Sequence, residues 1–469
     1  MAISPEEKYL LLLLLKRYGV GKKFTEKVSD ISKNYGVTRN VVVGLMSTLE
    51  QDKCVDVLRD GHRQKHYTFK SVVVERFDKE DLIKRFLQDS NPVLTSLIGG
   101  ELSIQDEKLR VSNRLFLACL VVYADEFGVV RGLSSTALRK MMGGISEDRF
   151  SSQLKTIKRT GIIKRYVAGV TGKELLGKSD SKYYLNLEHP FLDKWPYCIS
   201  TVSLEFNRWI PGTIPSDYLS TTELTVLFDT YRQAFNPKTK NLQEARLERL
   251  NWPDLMMGQM SKVPLMAVMP LFRNRQLHDQ LHHKICSLAS ECINYRWCQL
   301  EDIDITRCSD KVKELFSLEH WVPRSYHDAC RITCPSTQER ISLKGDKLLN
   351  ALKRNDTFVP NGPSTTFHQY LMFFKLMLSL AFLIAARYRA LLTLTVGDVS
   401  TARKYCILPV QSEGKPCLKH QVLFTGNEQI QTHIVVDSSG KVSCESKAIP
   451  IDIDDVIHIF TRPHSFFHR

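Results

Sequence analysis

The chain has no apolar run long enough to cross a bilayer. Its longest, Leu376 to Ala386, is eleven residues, where a spanning helix needs roughly twenty. The leucines from Leu10 to Leu15 number only six, Lys16 and Arg17 follow at once, and no small-residue cleavage site appears; this is a buried first helix, not a signal segment. No CxxC pair exists. Twelve irregularly spaced cysteines in 469 residues form no secreted disulfide framework, so the compartment is expected to be reducing and cytoplasmic. Cys286, Cys292 and Cys298 recur every six residues beside His282 and His283, but without paired metal-ligand spacing they read as core, and neither metal nor cofactor is expected. There is no Walker pattern and no HExxH. Acidic residues are the scarcer charge.

Lys and Arg number 65 against 51 Asp and Glu, a formal +14. That excess favours a polyanionic partner such as nucleic acid. Residues 4 to 70 carry a plan that could use it: a helix from Pro5 to Tyr18, a short helix from Thr25 to Tyr35, and a Gly36 turn. Thr38 then caps a longer helix ending near Lys53. Cys54 to Leu58 alternates as a strand, Asp60-Gly61 marks a turn, and Lys65 to Phe69 returns. Three helices and a two-stranded wing make a winged-helix unit. The same plan recurs from Ser112 to Leu187. NYGVTRNVVVGLMSTLEQDKCVDVLR, from Asn34, runs in parallel with MGGISEDRFSSQLKTIKRTGIIKRYV, from Met142, at a constant offset of 108, which points to two copies of one supersecondary unit.

In such a unit the helix after the Gly turn enters the major groove and the wing follows the backbone. The expected DNA contacts of the first copy are Thr38, Arg39, Asn40, Arg63 and Lys65, with Arg59, His62 and His66 also on its wing. Those of the second are Arg149, Gln153, Lys155, Lys158 and Arg159, with Lys173, Lys178 and Lys182 on a longer wing. Between Arg131 and Lys182 there are 12 Lys or Arg and 4 Asp or Glu, a local net of +8. Such a surface binds phosphates with a steep salt dependence, and Arg and Gln reach base edges.

Residues 76–110 read as a charged helical connector. Residues 191–340 read as a mostly helical middle, with helices expected at Leu219 to Phe235, Asn241 to Leu250 and Met269 to Trp297, and with no catalytic constellation. From residue 341 on, a long apolar helix leads into strands at Tyr405 to Val410, His420 to Phe424, His433 to Val436 and Lys447 to Ile451. Arg387 interrupts the densest apolar stretch of that helix. A guanidinium there is either salt-bridged or reserved for an anionic ligand.

AARYRALLTLTVGDV, with Leu391, Leu392, Leu394 and Asp398 at matching distances from Arg387, and the later AIPI at Ala448 to Ile451, resemble the first half of the catalytic domain of tyrosine recombinases, the phage-integrase family. The resemblance implies that Arg387 holds a scissile phosphate. It also implies a lysine general acid, for which Lys441, Lys415 and Lys447 are the choices, Lys441 first. Ala390 stands where the family has Glu, and no tyrosine follows Tyr405. Without the nucleophile no covalent phosphotyrosyl intermediate forms, and strand transfer by this chain alone is not expected.

The expected fold is α+β and predominantly helical: winged-helix units at 1–75 and 111–190, a connector, a helical middle domain, and a partial recombinase-like catalytic domain at 341–469. The expected function is that of a mobile-element DNA-binding protein resembling a truncated or degenerate recombinase, with double-stranded DNA, its own copies or other recombinase subunits as partners and no membrane. The alternative is a non-enzymatic binder such as a plasmid-type replication initiator or a transcriptional regulator. A third reading is an adaptor whose winged helices bind protein.

Overall fold

A computed structural model describes residues 3–59, 65–78, 81–99, 109–172, 177–206 and 275–296, nine residues between 381 and 393, and 404–411, 418–426, 429–436 and 442–446. The chain divides into two compact units. One comprises Met1–Gly169 and Asp180–Tyr197, the other Val170–Ser179 and the described part of Cys198–Arg469.

The first unit opens with α1 (Pro5–Tyr18). Ser4 Oγ accepts the Glu7 amide at 3.2 Å and the Glu7 carboxylate accepts the Ser4 amide at 2.7 Å, a reciprocal cap that fixes where the helix starts. There follow β1 (Lys23–Phe24), α2 (Val28–Tyr35), α3 (Arg39–Gln51), β2 (Val55–Arg59) and β3 (Lys65–Phe69). The short helices α4 (Val72–Phe77), α5 (Leu82–Gln88) and α6 (Pro92–Gly99) come next. Then the plan repeats: α7 (Val111–Tyr123), β4 (Val129–Val130), α8 (Ser135–Met141), α9 (Glu147–Arg159) and β5 (Ile163–Val167). After the hairpin of β6 (Val170–Gly172) and β7 (Gly177–Ser179), β8 (Lys182–Leu185) closes it. Both copies place the last strand in the middle of a three-stranded sheet, in the orders β1-β3-β2 and β4-β8-β5.

The expected offset is visible in the coordinates. The helices α3 and α9 and the strands β2 and β5 start and end 108 residues apart, whereas the N-caps of α2 and α8, Lys27 and Ser134, are 107 apart. α8 is one residue shorter than α2 and the turn after it is two residues longer, 142–146 against 36–38, a net gain of one residue in the second copy. Chemistry confirms the correspondence, because Ser32 Oγ donates to Val37 O at 2.6 Å in one copy and Arg139 Nε donates to Ile145 O at 3.0 Å in the other. The longer turn holds Gly143 at φ 86°, and a Cβ built there would lie 2.3 Å from the Ile3 carbonyl oxygen. The Ile3–Ser4 backbone is seated on the second copy's turn.

α1 and α7, the opening helices of the two copies, pack on each other. Leu10 to Leu15 are each at most 1% exposed, and α7 is buried continuously from Ser112 to Val121. Helices apolar on every side belong in an interior, and α1 has α3, α5 and α7 around it. The leucine run is explained by that position. The connector is part of the same core: Val73, Phe77, Ile83, Phe86, Leu94 and Leu97 are buried in it. Lysines of α1 cap its helices, with Lys16 Nζ donating to the carbonyls of Phe86, Leu87 and Asp89 at the end of α5, where the helix dipole favours a cation.

In the second unit, β6 and β7 form their own two-stranded sheet and Ser179 donates to Gln280 at 2.9 Å. Gln280 lies on α10 (Arg275–Arg296), inside the helix expected from Met269. A five-stranded sheet has the order β10-β11-β9-β12-β13, built from β9 (Ile199–Phe206), β10 (Tyr405–Gln411), β11 (Leu418–Thr425), β12 (Gln431–Val436) and β13 (Val442–Ser446). The central β9 runs antiparallel to β11 and parallel to β12. This corrects the helical reading of the segment after residue 191. ISTVSLEF alternates like a strand, and Ser200, Val202 and Leu204 are buried. Over the described residues the fold is thus mixed α and β, with helix the larger share. The helices expected at Leu219 to Phe235 and Asn241 to Leu250, and the strand from Lys447, lie outside the described residues. No helix among the described residues is long and apolar enough to cross a membrane.

Alanine at Gly132, where φ is 69° with open space around the added carbon, is expected to cost about 1–2 kcal/mol. Gly143→Ala meets the Ile3 backbone as well and is expected to cost more than about 3 kcal/mol. Amide exchange of the Leu10–Leu15 segment, followed by mass spectrometry, reports the difference.

Candidate functional site

The outward face of α9 and the adjoining β5 present a concentration of exposed cations. Burial follows the helical period: Phe150, Gln153, Leu154 and Ile157 face the core, which turns Lys155, Lys158 and Arg159 outward, all exposed, with Lys164 exposed on β5. Among the described residues Lys155, Arg159 and Lys164 have no carboxylate within ion-pair distance. Ser146 Oγ accepts the Arg149 amide at 3.3 Å and fixes the start of α9. Beside this face, Arg139, Phe150, Ser151, Leu154, Lys155 and Lys158, with Tyr166 of β5 among the other lining residues, surround a cavity of about 460 Å³. Its floor is apolar and its rim cationic. Lys158 Nζ lies 5.8 Å from the Tyr166 ring centroid, close enough for the ring face to attract the ammonium. Arg139 reaches Glu147 at 3.5 Å, an exposed carboxylate that partly offsets the rim.

Several expected contacts stand elsewhere. Gln153 is 7% exposed with its Oε1 unpartnered, so it is a core residue and not a base reader. It falls one step of three from Phe150, on the apolar stripe. Arg149 is held by Glu6 of α1 at 2.9 Å and joins the two copies. Lys178 lies on β7, in a hairpin belonging to the second unit, so the long wing expected of the second copy is not a single element; β5 pairs directly with β8. Arg63 and Lys173 lie outside the described residues.

In the first copy Thr38, Arg39, Asn40 and Lys65 are exposed. Thr38 sits at the N-cap of α3 without a side-chain capping bond. The rest of the outward face of α3 is not cationic: Val43 is 55% exposed, Leu58 on β2 is 60% exposed, and Ser47, Glu50 and Gln51 are exposed between them in sequence.

Arg387 and Lys441, the residues carried over from the recombinase resemblance, lie outside the described residues. Around the first, residues 384–386, 388, 389 and 391–393 are helical. Ile384, Ala385, Tyr388, Leu391 and Leu392 are buried at steps of three and four, as the apolar periodicity required. Cys286 and Cys292 are buried on α10 and Cys298 is outside the described residues. No known protein-family model matches the chain, and no characterised protein matches it in sequence.

An unpartnered buried amide oxygen costs about 1–3 kcal/mol. Gln153→Met keeps the volume and removes that oxygen, so it is expected to raise stability by about 1 kcal/mol; a lower urea midpoint would show that the amide has a partner.

Proposed function

We propose that the two repeated units are winged-helix modules and that the chain is a double-stranded-DNA-binding protein. The observation that carries this reading is the outward quartet of Lys155, Lys158, Arg159 and Lys164, clustered on the helix that follows the turn and on the strand beside it. A protein interior gains nothing from such a surface, and like charges held this close repel one another unless an anion sits between them. A phosphate backbone supplies anions at that density.

As to what the DNA is held for, we favour a non-enzymatic role, that of a replication initiator or transcriptional regulator. Strand transfer of the tyrosine-recombinase type has its support in the sequence around Arg387. Against it stands the sheet, since the recombinase pattern builds its small sheet from strands that follow that helix, whereas here β9 separates β11 from β12.

Four phosphate contacts correspond to a slope of about −3.6 in a plot of log K against log salt, or roughly a hundredfold weakening between 50 and 200 mM. Fluorescence anisotropy with a mixed-sequence duplex measures it. Lys155→Ala and Lys158→Ala are each expected to reduce the slope by about 1, and affinity indifferent to salt would sink the reading.

A further inference from the structure

The duplication allows each groove residue of the second copy to be compared with its counterpart in the first. At the offset of 108, Ser151, Lys155, Lys158 and Tyr166 correspond to Val43, Ser47, Glu50 and Leu58, and Arg159 and Lys164 correspond to Gln51 and Asp56. At the offset of 107 that applies before the turn, Arg139 corresponds to Ser32. The carbonyl that each of these two contacts confirms the pairing. All four cations of the quartet are exposed, and so are Ser47, Glu50, Gln51 and Asp56. The two faces are thus equally presented by the fold and opposite in chemistry. One carries four positive charges. The other carries two carboxylates, of which Asp56 pairs with Lys70 at 2.6 Å, flanked by Val43 and Leu58.

Resting on the DNA-binding reading above, we infer that the phosphate grip belongs to the second copy alone, and that Lys155 and Lys158, at the positions of Ser47 and Glu50, are the determinants that separate a gripping copy from a silent one. The site is the groove between α8, α9 and β5, and its ligand is the backbone phosphate of a duplex. Tyr166 contributes a ring against which the Lys158 stem is held. Leu58, its counterpart, has the bulk but neither the ring face nor a lysine to hold. Among its described residues the first copy retains exposed Arg39, Arg59 and Lys65, but they lie at the start of α3, the end of β2 and the start of β3 rather than along the outward stripe of α3.

The experiment uses the full chain and a mixed-sequence duplex, with anisotropy read across a salt series. Lys155→Ser with Lys158→Glu gives the second copy the residues of the first, and a loss of at least tenfold in affinity is expected. Arg39→Ala with Lys65→Ala is expected to change affinity less than twofold and to leave the salt slope alone. Adding Ser47→Lys and Glu50→Lys to the first double variant is expected to restore at least half of the lost slope. Because every substituted position is exposed, unchanged circular dichroism is expected throughout and serves as the folding control. Absence of salt-dependent duplex binding by the unsubstituted chain would overturn the DNA-binding reading itself, whereas salt-dependent binding left unchanged by the Lys155 and Lys158 substitutions would overturn the assignment of the grip to this groove. A tenfold loss from Arg39→Ala with Lys65→Ala, or no recovery on adding the two lysines, would overturn the division between copies while leaving DNA binding intact.

Discussion

The first unit depends on the burial of α1 against α7. Two helices with no polar face cannot each be half-solvated, so the two copies are obliged to share one interior. Each leucine from Leu10 to Leu15 is enclosed, and each contributes about 2 kcal/mol by leaving water. Two of the polar groups admitted to this interior find backbone acceptors on the connecting helices: Tyr9 Oη donates to Leu97 O at 2.9 Å and Lys8 Nζ to Phe77 O at 3.3 Å. The connecting helices are consequently tied to α1 by hydrogen bonds as well as by packing. A linker that only spanned two domains would have no reason to lend its carbonyls to a buried lysine.

A shared core has a consequence for the surface. The packing constraint on each copy falls on its first helix and on the inner stripe of its third, leaving the outer stripe under no structural obligation. Glu50 and Lys158 occupy equivalent exposed positions on equally well-packed helices, so the fold tolerates either sign there. The difference in sign at this position is then not dictated by the packing of either copy. The asymmetries inside the unit are few and local, and they concern how the copies are joined: the extra glycine of the second turn, which admits the Ile3 carbonyl, and the bond from Arg149 to Glu6. With Arg149 exposed and Glu6 half-buried, that solvent-accessible ion pair is worth only about 0.2–1 kcal/mol. Its role is registration of the two copies more than strength.

The repeat was legible because turn, cap and core residues are chosen by local chemistry that a sequence displays. Gly36 takes a left-handed conformation at the end of α2, Thr38 and Ser146 sit at N-caps, and the helix bounds of α1 coincide with the expected ones. Most of the misreadings originate in partners remote in sequence. Nothing within a few residues of Arg149 announces that Glu6 will claim it. Gln153 was assigned by residue type, although its spacing from Phe150 and Ile157 already placed it on the inner stripe. The residues between Val167 and Lys182 read as one long wing because turn signals mark a hairpin without saying which neighbours it will choose.

β9 was missed for the same reason in its strongest form, since its partners lie more than two hundred residues away, Thr201 opposite Gln431 and Val202 opposite Val422. Its eight residues alternate, but alternation in so short a stretch competes with many alternatives until a sheet exists to receive it. Closing so long a loop costs entropy that grows only with the logarithm of its length, so the pairing is thermodynamically cheap once both flanking strands are in place. The edge of this sheet is closed by side chains in the same non-local way. Asn294 bonds both the amide and the carbonyl of Tyr405, at 2.7 and 2.8 Å, and Ser290 accepts the Ile407 amide at 2.8 Å. Pro409, two residues further along that edge, has no N–H to offer. An edge strand with free donors would recruit another strand; here one helix turn and one proline consume or remove three alternate donors of β10, which among the described residues is an edge of the sheet.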